Sequence, residues 1–182
     1  TINYSGALTD NVLDIGSISD INGTPTRPLD GFSVQTVIPG QVNLINTQGL
    51  ALSYWDGTAG PKNNNAIDGG VGIWRHAGPA ETSNWTDPTG AVNAPWADDQ
   101  FAIFLGAPAT VTVSLDSGAV TTSGMQFGVD GYVLGGDAIT LVDSAATPGA
   151  SIIRVGDGTR NGDGFTATIA APLIGSTLLR KT

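Results

Sequence analysis

Between residues 106 and 182 the chain alternates β-branched and polar residues in short, evenly spaced runs, and this alternation limits its possible folds more than any other feature. The runs are Thr110-Val-Thr-Val-Ser-Leu115, Gly124-Met-Gln-Phe-Gly-Val-Asp-Gly131, Tyr132-Val-Leu134, Ala138-Ile-Thr-Leu-Val142, Ser151-Ile-Ile-Arg-Val155 and Phe165-Thr-Ala-Thr-Ile169. A period of two puts successive side chains on opposite faces of a strand. Glycines and Asp-Gly steps separate the runs, and no window of helical periodicity free of Gly or Pro lies between them. Such a chain is predicted to be all-β and to coil and stack on itself as a β-solenoid. An antiparallel β-sandwich is the alternative. Asp-Gly at Asp30, Asp56, Asp68, Asp130, Asp157 and Asp163 can close a hairpin or turn a corner between stacked strands.

Composition agrees with exposed sheet. A chain of 182 residues with 40% hydrophobic content can build a core, despite 26 Gly, 10 Pro and only 13% charged residues. Fifteen of the 16 acidic residues are Asp, and Glu81 is the single Glu. Asp suits turns where Glu suits helices. A net charge of -9, with seven Lys and Arg that form no stripe, argues against nucleic acid and against anionic membranes. The chain has no Cys. That fits a bacterial exported protein, which crosses a membrane before any disulfide can lock it. No signal peptide, lipidation motif or membrane span is recognisable. Thr1-Ile-Asn-Tyr-Ser reads as a strand already under way and Leu178-Leu-Arg-Lys-Thr182 as one cut short, so a fragment of a longer chain is expected.

Three zones divide this single expected domain. Residues 1–54 hold strand-like runs at Thr1–Leu8, Val12–Ile18, Phe32–Ile38 and Gln41–Ile45, read as N-terminal coils. Residues 55–105 hold all four Trp (Trp55, Trp74, Trp85, Trp96) within loop-rich sequence such as Gly60-Pro-Lys-Asn-Asn-Asn65, and read as a loop segment or insertion. Residues 106–182 read as regular C-terminal coils. Strand runs recur without a fixed motif at a fixed period.

Each candidate for chemistry has a plainer reading. His76 is the only His, and no Gly-x-Ser-x-Gly elbow or Ser-x-x-Lys pair accompanies it, so it is expected to be a surface imidazole. Asp157-Gly-Thr-Arg-Asn-Gly-Asp163 resembles the opening of a calcium loop, but Thr168 stands where a bidentate Glu belongs, and a solvated connection is expected. Asp98-Asp99 cannot flank one glycosidic bond if the chain there is extended. No phosphate cradle or zinc spacing occurs. No cofactor and no metal site is therefore expected. Trp74, Trp85 and Trp96, evenly spaced along the chain, form with Arg75 and His76 the candidate ligand-binding set, since aromatic faces stack on sugars or anchor protein partners. Their other role is core, expected for most of the Trp with one left exposed. Phe101-Ala-Ile-Phe104 is read as a core strand.

The segments Gln41-Val-Asn-Leu-Ile-Asn-Thr-Gln-Gly-Leu-Ala-Leu-Ser-Tyr-Trp-Asp-Gly57, Asn84-Trp-Thr-Asp87, Gly124-Met-Gln-Phe-Gly-Val-Asp-Gly-Tyr132 and Ile153-Arg-Val-Gly-Asp-Gly158 resemble passenger regions of bacterial type V autotransporters of the AIDA-like class. Leu178-Leu-Arg-Lys-Thr182 is similar to the start of the autotransporter-associated β-strand repeat. The resemblance implies a right-handed parallel β-helix shown on the outer surface of a Gram-negative cell after export through the periplasm. It implies a virulence-type adhesin that holds host cells, matrix proteins such as fibronectin, a glycan, or sister cells. The family's membrane barrel is not recognisable in this sequence, so direct membrane insertion and nucleic acid are not expected, and the fragment is expected to be a monomer.

In a coil of this kind Val111, Val113 and Leu115 would face inward, as would Met125, Phe127 and Val129, while Thr110, Thr112 and Ser114 face out. A rigid neutral face of that sort binds by area, with repeated coils adding avidity. Adhesin segment, structural spacer and polysaccharide-acting enzyme are the three functional expectations, in that order. The last is disfavoured by having only Lys62 and Lys181 for lysines.

Overall fold

The computed structural model describes residues 2–7, 22, 32–35, 41–46, 53–77, 83–143 and 148–182. The chain divides into two compact units, Thr1–Leu50 and Ala51–Thr182. In the first, β1 (Ile2–Asn3) and β2 (Phe32–Gln35) pair antiparallel with β3 (Gln41–Asn46) lying between them. The expected run Val12–Ile18 and the Asp30 turn lie outside the described residues.

The second unit is built by repetition. Its strands are β4 (Tyr54–Trp55), β5 (Gly72–Arg75), β6 (Trp85–Thr86), β7 (Asn93–Ala94), β8 (Phe101–Phe104), β9 (Thr110–Ser114), β10 (Val120–Thr122), β11 (Gly124–Phe127), β12 (Tyr132–Gly136), β13 (Ile139–Leu141), β14 (Ala150–Val155), β15 (Ala167–Ile169), β16 (Leu173–Ile174) and β17 (Leu178–Lys181). They form a first sheet ordered β17-β14-β11-β8-β4-β6-β7, a second ordered β15-β12-β9-β5 and a third ordered β10-β13-β16. From β8 onward the chain visits the first, second and third sheets in strict rotation, and every pairing among these strands is parallel. Phe101, Gly124, Ile152 and Arg180 fall in one row across the first sheet. Each is one circuit further along the chain, and the circuit from Phe101 to Gly124 is shorter than the two that follow it. An antiparallel sandwich does not describe this part, because hairpins would pair consecutive strands.

The variable return length explains why no fixed motif repeats. The strands hold register while the corners absorb the differences, as with the 3₁₀ turn Arg160–Gly164 between β14 and β15. Glycine is required where a corner presses on the neighbouring circuit. At Gly136 φ is +93°, and a Cβ there would lie 2.3 Å from the Val113 carbonyl oxygen. Only Gly adopts that conformation beside that backbone without strain.

Alternation sorts the side chains as the sequence suggests, up to the strand ends. Val111 and Val113 are buried while Thr110 and Thr112 are exposed. Met125 and Phe127 are buried, and Val129 packs against the core. The expectation fails at Ser114, which is 9% exposed, and at Leu115, which is 41% exposed. The chain leaves the strand there for a turn closed by the Gly118 amide donating to the Leu115 carbonyl, so the period of two no longer applies. Phe101-Ala-Ile-Phe104 divides likewise. Ala102 and Phe104 are buried, whereas Phe101 and Ile103 are half-buried on the outer side.

At the C-terminal end β15, β16 and β17 are the outermost strands of their sheets. A cavity of about 360 Å³ opens there, lined by Phe127, Ile153, Val155, Ile169, Leu173 and Leu179 among others. Leu178, the first residue of β17, is 67% exposed.

Candidate functional site

The Trp segment belongs to the sheets and is more than a loop laid on them. β4 joins β8, and β5 joins β9, in parallel. β6 and β7 add an antiparallel ribbon beyond β4. This layout turns Trp55, Trp74, Trp85 and Trp96 toward one another, and all four are buried. Ring centroids stand 5.3 Å apart for Trp55 and Trp85, 5.1 Å for Trp74 and Trp85, 5.0 Å for Trp74 and Trp96 and 4.3 Å for Trp85 and Trp96. Edge-to-face and tilted contacts of this kind each add about 0.5–1.5 kcal/mol beyond burial itself. Trp55 Nε1 donates to the Gly70 carbonyl at 2.8 Å and Trp96 Nε1 to the Thr121 carbonyl at 3.0 Å. The expectation of one exposed Trp is not met. No ring presents a free face on which a sugar could stack.

Arg75 and His76 stand at the margin of this cluster. Arg75 ends β5, half-buried opposite Ser114. His76 bridges to Trp96, and its Nδ1 lies 2.6 Å from an Asp98 carboxylate oxygen. Both side chains are about one-third exposed, at 38% and 34%, so His76 is a paired boundary residue rather than a free surface imidazole. Asp99 turns away and accepts from the Thr121 hydroxyl at 2.7 Å. The two carboxylates therefore serve different partners, but the cause is a turn with Asp99 at φ 64° and not the extended chain the expectation assumed.

A polar clasp that sequence reading missed holds the same segment together. The buried Asp56 carboxylate accepts from the Asp68 amide at 2.9 Å and from Asn93 Nδ2 at 2.7 Å. Asn63 and Asn93 exchange side-chain-to-backbone bonds in both directions, at 2.6 and 2.7 Å. The Lys62 ammonium donates to the Asp56 and Gly57 carbonyls. Burial lowers the Lys62 pKa, while Asp56 and Asp68 pull it upward. The Asp-Gly steps and the Asn63-Asn-Asn65 run were the available signal. The loop closure that aligns them is not local in sequence.

The Asp157 loop uses its carboxylate on itself. Oδ1 accepts from the Thr159 hydroxyl at 2.7 Å and amide at 2.8 Å, which holds the acid below its usual range. Among the described residues no group of three His, Cys, Asp or Glu is placed to hold a metal ion.

The accessible surface with a defined chemical pattern is the outer face of the first sheet. Register sets Tyr54, Ile103, Gln126 and Arg154 in one row across β4, β8, β11 and β14. The row beside it carries Phe101, Gly124, Ile152 and Arg180. Inward neighbours Trp55, Phe104, Phe127 and Ile153 are buried, while Tyr54, Phe101, Ile103 and Ile152 are half-buried and Arg154 and Arg180 exposed. Phe101 lies over the empty position at Gly124, where a Cβ would meet the ring at 2.7 Å. The result is a shallow apolar platform with aromatic rings at one end and two arginines at the other. Neither arginine makes an ion pair with any described residue.

Comparison with known proteins adds one finding. The chain is 44% identical over 181 residues, its whole length, to a part of the adhesin BmaC autotransporter of Brucella suis biovar 1 (strain 1330). It spans about 5% of that relative's length. No protein-family model matches the chain, and no solved structure matches it.

Proposed function

We propose that this chain is a passenger segment of an autotransporter adhesin, folded as a right-handed parallel β-helix and displayed at the bacterial surface. The observation that carries this reading is the similarity to an adhesin autotransporter along the whole chain. The rotation of the strands through three sheets, with parallel pairing from β8 onward, supports the β-helix. The proposal includes export through the periplasm, attachment to the outer membrane, a monomeric segment, and membership of the AIDA-like class with its β-strand repeats.

In this reading the role is non-enzymatic adhesion to host cells, to matrix protein such as fibronectin, or to sister cells. The first-sheet face, with its partly exposed aromatics and arginines free of ion pairs among the described residues, is the surface best suited to contact. The core position of Trp74, Trp85 and Trp96 makes them supports for that surface rather than contact residues. Saturable binding of the purified chain to cells or immobilised matrix protein is the expected result. Absence of binding across a panel of both overturns the adhesin reading.

A spacer role is the second reading. It is favoured by the parallel stacking of circuits from β8 onward, since stacked circuits add reach in proportion to their number. Deleting the segment from the full-length protein then shortens reach without altering affinity.

A further inference from the structure

We propose that the outer face of the first sheet binds a linear polysaccharide bearing one carboxylate per disaccharide. The inference rests on the adhesin reading and gives it a ligand class and a site. β8, β11 and β14 are each paired on both sides, so a peptide strand could be added only along an outer edge, as at β17, and not across the face itself. Flat rings that stack and charges that reach sideways are what it can receive.

The residues supply both. Tyr54 and Phe101 offer ring surface, and Phe101 lies flat because Gly124 has no side chain beneath it. Sugar rings present C–H faces that pack on such aromatics. Three strand steps separate Tyr54 from Arg154, roughly 14 Å at about 4.8 Å per step, enough for more than one sugar ring. At the far end the guanidinium groups of Arg154 and Arg180 are exposed and free of ion pairs among the described residues. Guanidinium pairs with a carboxylate through two parallel N–H donors. No Asp or Glu occupies either row. Gln126 Nε2 is committed to the Gly156 carbonyl at 3.0 Å, which fixes the amide and leaves its oxygen available.

Charge density selects among anionic polymers. The chain carries a net charge of -9, so a densely sulfated chain meets repulsion around a site with only two cations. A sparse polyanion places one carboxylate at the arginines while neutral sugar covers the rings.

The test uses the purified chain and immobilised hyaluronan oligosaccharides as probe. Saturable, salt-sensitive binding is expected. The R154Q/R180Q double variant should weaken it at least ten-fold, and so should Phe101→Leu, which keeps apolar cover over Gly124 but removes the ring. Circular dichroism melting curves matching the parent confirm that the variants fold. Binding that survives these substitutions, or preferential binding to heparin, overturns the assignment. Capture of an acidic protein that is lost in R154Q/R180Q, without capture of hyaluronan, overturns it in favour of a protein ligand. If hyaluronan is not bound while cells or matrix protein are, this site falls and the adhesin reading stands. If nothing is bound, both fall.

Discussion

Phe104 and Phe127 lie face to face, with ring centroids 4.9 Å apart and planes 11° from parallel, although a full circuit of chain separates them. They are register partners on β8 and β11. Their stacking is the packing unit of the whole second unit, in which equivalent inward positions of successive circuits meet one another. Phe104 also touches Trp55, Trp74 and Trp85, so it joins the stacked circuits to the Trp cluster.

Phe127→Ala should therefore destabilise the second unit by about 3–5 kcal/mol, the usual cost of truncating a buried Phe. Urea unfolding followed by far-ultraviolet circular dichroism measures it. A loss below about 1 kcal/mol would show that the stack is not a core element.

Burial of all four Trp rings fixes their optical behaviour. Intrinsic fluorescence should be blue-shifted and poorly quenched by iodide in the folded chain, with both properties reverting on denaturation. Trp85→Ala should cost about 3–5 kcal/mol and impair ligand binding only in proportion to unfolding. Red-shifted, readily quenched emission from the folded chain would contradict the packing.

Asp56 is a buried carboxylate with two fixed donors. Its replacement by Ala leaves the Asp68 amide and the Asn93 amide group without their acceptor, and bonds to a charged group are typically worth about 1.5–3 kcal/mol each. Asp56→Ala should lower the urea midpoint clearly more than the exposed control Asp116→Ala. Equal midpoints would mean that the clasp does not contribute to stability.

Acid should weaken the fold through its turns. The Thr166 amide and hydroxyl donate to Asp130 at 2.6 and 2.9 Å and hold its carboxyl below the ordinary range. Asp157 is lowered in the same way by Thr159. At Asp87 partial burial pushes the value up, but donors from Thr89, Ala91 and Gly90 outweigh it. Each group is lower folded than unfolded, so its contribution is complete above the unfolded value of about 3.9 and disappears as pH falls through the folded one. The contribution of these carboxyls should be constant from about pH 7 to about 5, and the melting temperature should fall below about pH 4, where they take up protons. The Asp130→Asn/Asp157→Asn variant should show a shallower acid decline. An unchanged decline would place the acid sensitivity elsewhere.

Gly136→Ala tests the corner geometry. The added methyl meets the Val113 carbonyl in a left-handed backbone conformation, and a loss above about 1 kcal/mol is expected. Gly164→Ala, where a Cβ meets nothing within 4 Å, is the matched control and should change little.

How much of this could be read from the sequence depended on how local each cause was. Val111, Val113, Thr110 and Thr112 could be assigned to faces because alternation is a property of a single strand. Ser114 and Leu115 could not, because their placement follows from where the strand stops. Phe101 looked like core on the same pattern as Phe104. The row it shares with Gly124 and Ile152 is visible only once register is known. The even spacing of Trp74, Trp85 and Trp96 suggested a site, whereas their burial in one cluster required β4, β5 and the β6–β7 ribbon to meet in space.

Alone, the sequence determined that the described residues form strands with no α-helix among them, that turns are made by Asp and Gly, and that β-branched runs bury alternate residues. These follow from steric preferences acting over a few neighbours. Tertiary structure alone decided that strands pair with those one circuit away, that four Trp close into a core, and that Tyr54, Phe101, Arg154 and Arg180 share an outer face. Those outcomes depend on register between strands that lie a circuit or more apart along the chain. Register is set by the combined packing of all circuits, and no short window of sequence contains it.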